Sequence, residues 1–128
     1  MKYKLLNIKV NKFDFKLNEY NQSDYNINLE FGKKINKIDE NKSELILKFR
    51  IMDNEEVHTP FNIEYEMATL FEFEDLSKEE YEGFMNINAI QIAFPYMRST
   101  LTSLTSSLMI KPVVLPIIDV RTFLKNSK

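Results

Sequence analysis

The chain has 128 residues, 44% of them hydrophobic, with ten Phe, six Tyr and two Gly, the composition of one folded domain rather than of a disordered segment. Cysteine is absent, which excludes a disulfide framework, a thiolate nucleophile and a Cys-based zinc site, and agrees with a reducing cytoplasm. The net charge of -2 argues against a dedicated nucleic-acid binder, and the longest uncharged run, Gly83 to Met97, contains Asn and Pro and falls short of the roughly 18 apolar residues of a membrane span.

Charge is unevenly distributed along the sequence. Residues 53 to 82 hold eleven acids against one base, and the remainder eight acids against sixteen bases. The two signs are sorted in space unless the fold interleaves them, as solvated faces or as a partner-docking surface.

Taken in chain order, MKYKLLNIKVNKF reads as mature structure, because Lys9 and Lys12 break the apolar core a signal peptide needs. Apolar residues then alternate on even positions (Leu6, Ile8, Val10) and afterwards on odd ones (Phe13, Phe15, Leu17). A strand whose phase flips in this way bends or bulges, here near Asn11. A turn at Asn21–Asp24 leads to a second strand through Ile27, Leu29 and Phe31, relieved at Gly32. After the turn Asp39–Lys42, a third strand turns Leu45, Leu47, Phe49 and Ile51 to one face. The fourth strand points Phe61, Ile63, Tyr65, Met67, Phe71 and Phe73 one way and Glu64, Glu66, Glu72 and Glu74 the other. Short polar connections imply antiparallel neighbours throughout.

At Leu76 the apolar period lengthens, with Ser77 and Glu80 spaced as a capping box for a short helix. Ile87, Ile90, Phe94, Met97, Leu101, Leu104 and Leu108 form an apolar seam along a helix from about Asn86 to Leu108, with a kink or restart at Pro95. The hydroxyl-rich residues between them, among them Ser99, Thr102, Ser103 and Ser106, suit close approach of another backbone, and are expected at an oligomer interface. IKPVVLPIIDV, from Ile110 to Val120, is an extended apolar loop, after which Asp119 caps a last short helix through Leu124. The whole is expected to be a single α+β domain, residues 1–128: a four-stranded antiparallel sheet, a long helix, an extended loop and a short C-terminal helix.

Material for catalysis is scarce. His58 is the only histidine and has no obvious partner, Gly32 and Gly83 are isolated, and carboxylates two apart along a strand form a ladder rather than a metal cage. The reading is therefore no enzyme, no metal and no cofactor. Arg98, on the long helix beside Tyr96, reads as a structural ion pair or hydrogen-bond anchor at an interface rather than a surface charge.

Phe94-Pro95-Tyr96-Met97-Arg98, running into a Ser/Thr-rich helix and then Pro112-Val113-Val114-Leu115-Pro116-Ile117-Ile118, resembles the SecB export chaperone family, in which F-P-Y-x-R opens the same passage. The phase-shifted strand from Lys9 to Phe15 is similar to the start of that fold. The resemblance implies a cytoplasmic homotetramer, a dimer of dimers, whose apolar grooves hold unfolded polypeptide. It places the client groove at Val113, Val114, Leu115, Ile117, Ile118, Phe123 and Leu124. It also implies that the translocase motor SecA meets acidic sheet residues, for which Glu64, Glu66, Glu72 and Glu74 offer comparable charge. Against SecA, the sequence stops at Lys128 without the longer tail of the export chaperones, and it lacks their acidic N-terminal extension; toxin–antitoxin-linked and solitary members share the fold. An ATP-independent holdase and an adaptor for one folded partner are the two functions in contention.

Overall fold

In a computed structural model the structure describes residues 2–18, 29–53, 59–110 and 113–115. Four strands, β1 (Lys2–Leu17), β2 (Leu29–Lys37), β3 (Lys42–Ile51) and β4 (Phe61–Glu74), precede two helices, α1 (Lys78–Gly83) and α2 (Ala89–Ser106), joined by a π-helical turn (Phe84–Asn88). The sheet order is β1-β4-β3-β2, antiparallel throughout. The expectation that every strand pairs with its sequence neighbour is corrected at one junction: β1 pairs with β4, and β1 and β2 form opposite edges.

β4 is central because both of its faces and both of its edges suit that place. Its odd-numbered residues from Phe61 to Phe73 are all buried on the inner face, and its row of alternating side chains is met by Leu45, Leu47, Phe49 and Ile51 of β3. On the other side, β1 keeps apolar residues against the same row by bulging twice. Tyr3 and Leu5 face Phe73 and Phe71; Ile8 and Val10 face Thr69 and Met67; Phe13, Phe15 and Leu17 face Tyr65, Ile63 and Phe61. Each change of parity coincides with an unopposed residue, Leu6 and Asn11. The bulge at Asn11 is the one the sequence predicts. The one at Leu6 is new: Leu6 does not belong to the row of Ile8 and Val10 but is the extra residue that lets Tyr3 and Leu5 face inward.

β2 extends further than its hydrophobic alternation suggests. It continues through Gly32, which pairs with Lys48 without a register shift, to Lys37, so Gly32 does not relieve the strand. The hairpin to β3 closes with the Ile38 N–H donating to the Lys42 carbonyl at 2.9 Å and the Asn41 N–H to Asp39 Oδ1 at 2.8 Å.

The helical rod lies on the inner face. Ser77 and Glu80 form the expected reciprocal cap, with the Glu80 N–H donating to Ser77 Oγ and the Ser77 N–H to Glu80 Oε1, both at 3.1 Å. From Lys78 to Ser106 the rod is unbroken and passes through Pro95, whose ring is on the exposed side; Pro95 begins no new helix. The predicted seam holds at Ile90, Phe94, Met97 and Leu101, all buried, but Ile87 and Leu108 are exposed. The π turn explains Ile87. An i→i+5 turn inserts one residue, so the inward position one turn before Ile90 passes to Met85, which is fully buried.

Candidate functional site

The segment after α2 returns along the helix. Met109, with φ of 60°, turns the chain at the helix end. Residues 113–115 are then held by side chains of α2: Val113 N–H donates to Thr105 Oγ1 at 2.9 Å, Thr102 Oγ1–H to the Val113 carbonyl at 3.1 Å, and Arg98 Nε–H to the Leu115 carbonyl at 2.9 Å. The extended backbone has no ladder of its own, so hydroxyls and a guanidinium supply its partners. Arg98 is thus a hydrogen-bond anchor within the chain, between α2 and the segment that follows it. Val113 and Leu115 are buried in the core, whereas Val114 is 62% exposed. Of the groove residues expected from the sequence, Val114 alone is open to water among the described residues; Ile117, Ile118, Phe123 and Leu124 lie outside them, as does His58.

The hydroxyl residues of α2 divide in the same way. Ser99, Ser103 and Ser106 are exposed, but Thr102 is used within the chain to hold Val113, and the Thr100 hydroxyl is hydrogen-bonded to that of Tyr65. Thr102 therefore takes part in anchoring the loop.

A larger apolar surface lies along β1. Its inner-facing row continues past the cover of the helix, leaving Tyr3 50%, Val10 41% and Leu17 60% exposed and Ile8, Phe13 and Phe15 half-buried. Beside its start, a cleft of about 280 Å³ is lined by Tyr3, Phe84, Asn88, Gln91 and Ile92, with the Tyr3 and Phe84 rings 4.8 Å apart. The sequence contains all of these residues, but an alternating strand does not reveal which side chains its helix leaves uncovered. The useful signal was Tyr3, an aromatic residue among lysines at the chain start.

The outer face of the sheet carries the four carboxylates in the predicted orientation, but the fold interleaves the charges. Glu64 is placed between Arg50 and Asp14, Glu66 between Lys48 and Lys12, Glu72 between Lys42 and Lys4, and Glu74 beside Lys2. Lys12 Nζ lies 2.8 Å from Glu64 Oε2 and Lys48 Nζ 3.4 Å from Glu66 Oε1. The hydrogen bond and charge of Lys12 hold the Glu64 carboxyl below its ordinary range, and Glu64 raises the Lys12 ammonium in return. Both groups are exposed, so this pairing contributes little to stability. Glu72 and Glu74 have no ion pair among the described residues. The face is thus of mixed sign, since lysines of the edge strand β1 and basic residues of β3 flank the acidic strand.

Among the described residues no group of three or more His, Cys, Asp or Glu side chains could hold a metal ion, and no helix is long and apolar enough to cross a membrane. The model of the preprotein translocase subunit SecB family matches residues 11–128. The uncharacterized protein MJ0357 of Methanocaldococcus jannaschii is 29% identical over 128 residues, 96% of this chain and 83% of that protein. Among solved structures, the Mycobacterium tuberculosis Rv1957 SecB-like chaperone, in complex with a ChAD peptide from the Rv1956 HigA1 antitoxin, is similar with a TM-score of 0.72 and 20% identity, covering 91% of each chain. With the antiparallel sheet, the long helix against it and a family match that spans nearly all of its length, this chain belongs to the SecB family.

Proposed function

We propose that the protein is an ATP-independent holdase that keeps extended, non-native polypeptide on its open apolar surfaces. The observation that carries this reading is the uncovered inner row of β1 with the adjoining Tyr3–Phe84 cleft; contiguous apolar surface on a protein that folds around a separate, well-buried core is a binding feature. Val114, exposed between two buried neighbours, adds a contact on the loop side. Membership of the SecB family supports a polypeptide client, and the similar mycobacterial chaperone, solved with an antitoxin peptide, favours an antitoxin segment over general export. Ile117, Ile118, Phe123 and Leu124 are proposed to extend the groove beyond Val114.

Part of the same apolar row is proposed to meet a second copy of the chain, in a dimer that pairs further through Ser99, Ser103 and Ser106 into a dimer of dimers. Glu72 and Glu74, without an ion pair among the described residues, are the carboxylates proposed to meet a basic segment of a partner such as SecA; Glu64 and Glu66 are already engaged. The test of the central reading is the light scattering of a chemically unfolded model client diluted into buffer with stoichiometric protein. Delayed aggregation is expected without nucleotide. No delay, together with retrieval of a single folded partner, would establish an adaptor instead.

A further inference from the structure

Residues 113–115 belong to no sheet among the described residues, and α2 takes the place of a neighbouring strand. Arg98, Thr102 and Thr105 follow one another by four and three residues, which sets them on one stripe of the helix. That stripe spans two turns, about 10.5 Å at the helical rise, and three extended residues cover about 10 Å. The lengths match, and the two segments run in opposite directions: Thr105 Oγ1 accepts the Val113 N–H, and Arg98 Nε–H donates to the Leu115 carbonyl, each at 2.9 Å.

The three contacts are not equal. Val113 and Thr105 are both buried, and Thr105 Oγ1 donates its own hydrogen to the Leu101 carbonyl at 2.9 Å while it accepts from Val113, so both of its roles are fixed. The Thr102 hydroxyl has two acceptors, the Val113 and Arg98 carbonyls, both at 3.1 Å, for one hydrogen. Loss of the Thr105 oxygen strands a buried donor, whereas loss of the Thr102 oxygen removes a shared bond. Register matters because side chains alternate. A slip of one residue in either direction turns Val113 and Leu115 out of the core, and the slip that brings Pro112 to Thr105 also forfeits the bond, since proline has no N–H.

We propose that Thr105, Thr102 and Arg98 are positioning residues for client capture: they hold residues 113–115 in the one register that puts Val113 and Leu115 in the core and offers the exposed Val114 side chain to the client. They act through the loop rather than by touching the client. The proposal rests on the holdase reading above and adds the side chains that keep its loop contact in place. The competing view is that the three bonds only satisfy buried backbone, so that their loss weakens the fold as a whole and capture only in step with it.

The chain has no cysteine, so Val113→Cys or Val114→Cys gives the full protein a single thiol whose alkylation rate reports its exposure. The thiol at position 114 should react fast and the one at 113 far more slowly, through local opening. Thr105→Val should speed alkylation at 113 about tenfold, the scale of a stranded buried donor, Arg98→Met should also raise it, and Thr102→Val should raise it least. Thr105→Ser keeps the acceptor and should hold the parent's rate. In the same variants without the reporter thiol, the amount of protein that halves aggregation of a chemically unfolded model client should rise about fivefold for Thr105→Val and Arg98→Met, the scale of part of one valine's burial, and stay at the parent's for Thr105→Ser. Arg98 and Thr102 are half-buried, so their variants decide the matter if Thr105→Val does not fold. Ser77→Ala, which weakens the fold at the other end of the helical rod, should change neither alkylation nor capture; an equal loss of capture there would overturn the proposal in favour of the competing view. Unchanged alkylation at 113 in all the loop variants would also overturn it, as would faster alkylation with capture equal to the parent's, and in both cases the positioning role fails alone. A parent chain that does not delay aggregation at all would overturn the polypeptide-binding reading and the positioning role with it.

Discussion

Met109 is 96% exposed and holds a φ of 60°, a left-handed conformation that costs any residue with a Cβ and little for glycine. Met109→Gly should therefore stabilise the protein by about 0.5–1 kcal/mol, read as a higher denaturation midpoint at unchanged slope. Ser77 tests the opposite sign: Ser77→Ala removes the acceptor of the Glu80 N–H and should cost about 1 kcal/mol. Glu80 itself carries a pH dependence. Hydrogen bonds from Ser77, the backbone one first, hold its carboxyl below the ordinary range, so what it contributes is present above the unfolded carboxyl's pKa and is lost as pH falls through the lowered folded value. Denaturation of the parent and of Glu80→Gln should differ near pH 7 and converge as pH falls below the usual carboxylate range of about 4. The cap was legible from Ser77 and Glu80 alone because it is a contact between near neighbours. Met109 was not, because a left-handed methionine is the result of where residues 113–115 have to go.

At the scale of elements, the π turn and the paired bulges of β1 solve the same problem. Each inserts a residue to keep apolar side chains facing one surface. If the π turn is an α-helix with one extra residue, deletion of exposed Ile87 should leave a folded protein in which Met85 and Ile90 share one face in ordinary helical phase. Circular dichroism should show retained helix and a cooperative melt. The same deletion made at Thr100, inside the regular part of α2, should abolish folding, since it rotates Leu101 and Thr105 away from the core. Leu101→Asp makes the comparable test of the seam: an unpaired carboxylate at a fully buried site costs several kcal/mol against a total stability of roughly 5–15 kcal/mol, so no soluble folded protein is expected. The seam could be read from Ile90 to Leu101, where the helical period is regular. It failed at Ile87 because a 3.6-residue pattern cannot anticipate a five-residue turn.

For the whole molecule, the question is which apolar residues hold the fold and which remain available. Leu115, buried beneath α2, should behave as core, so that Leu115→Ala costs about 2–5 kcal/mol. Val114→Ser, one residue earlier, should leave the melting temperature and assembly unchanged while weakening client capture. Capture equal to that of the parent by a stable Val114→Ser would remove this residue from the groove. On the opposite side, Val10→Glu together with Leu17→Glu places charges on the half-open row of β1 without entering the buried core. Light scattering should then show a smaller particle than the parent with little change in melting temperature; an unchanged mass would exclude this row from self-association.

Some of this was determined by the sequence by itself. Strict alternation over Phe61–Phe73 and Leu45–Ile51, the phase flip near Asn11, the cap at Ser77 and the Phe94–Arg98 passage each depend on residues close in the chain, whose periodicity reports local geometry directly. Those patterns were enough for an α+β chain of the SecB type. What only the tertiary structure decided depends on strand order. With β1 beside β4 rather than β2, the lysines of the first strand meet the carboxylates of the fourth, and the acidic segment that is prominent in the sequence becomes a face of mixed charge. The helix covers β4 and β3 but leaves the row of β1 open, and of the apolar loop Val113 and Leu115 enter the core while Val114 between them stays exposed. Composition and period are local properties, whereas exposure and charge balance are set by which elements become neighbours.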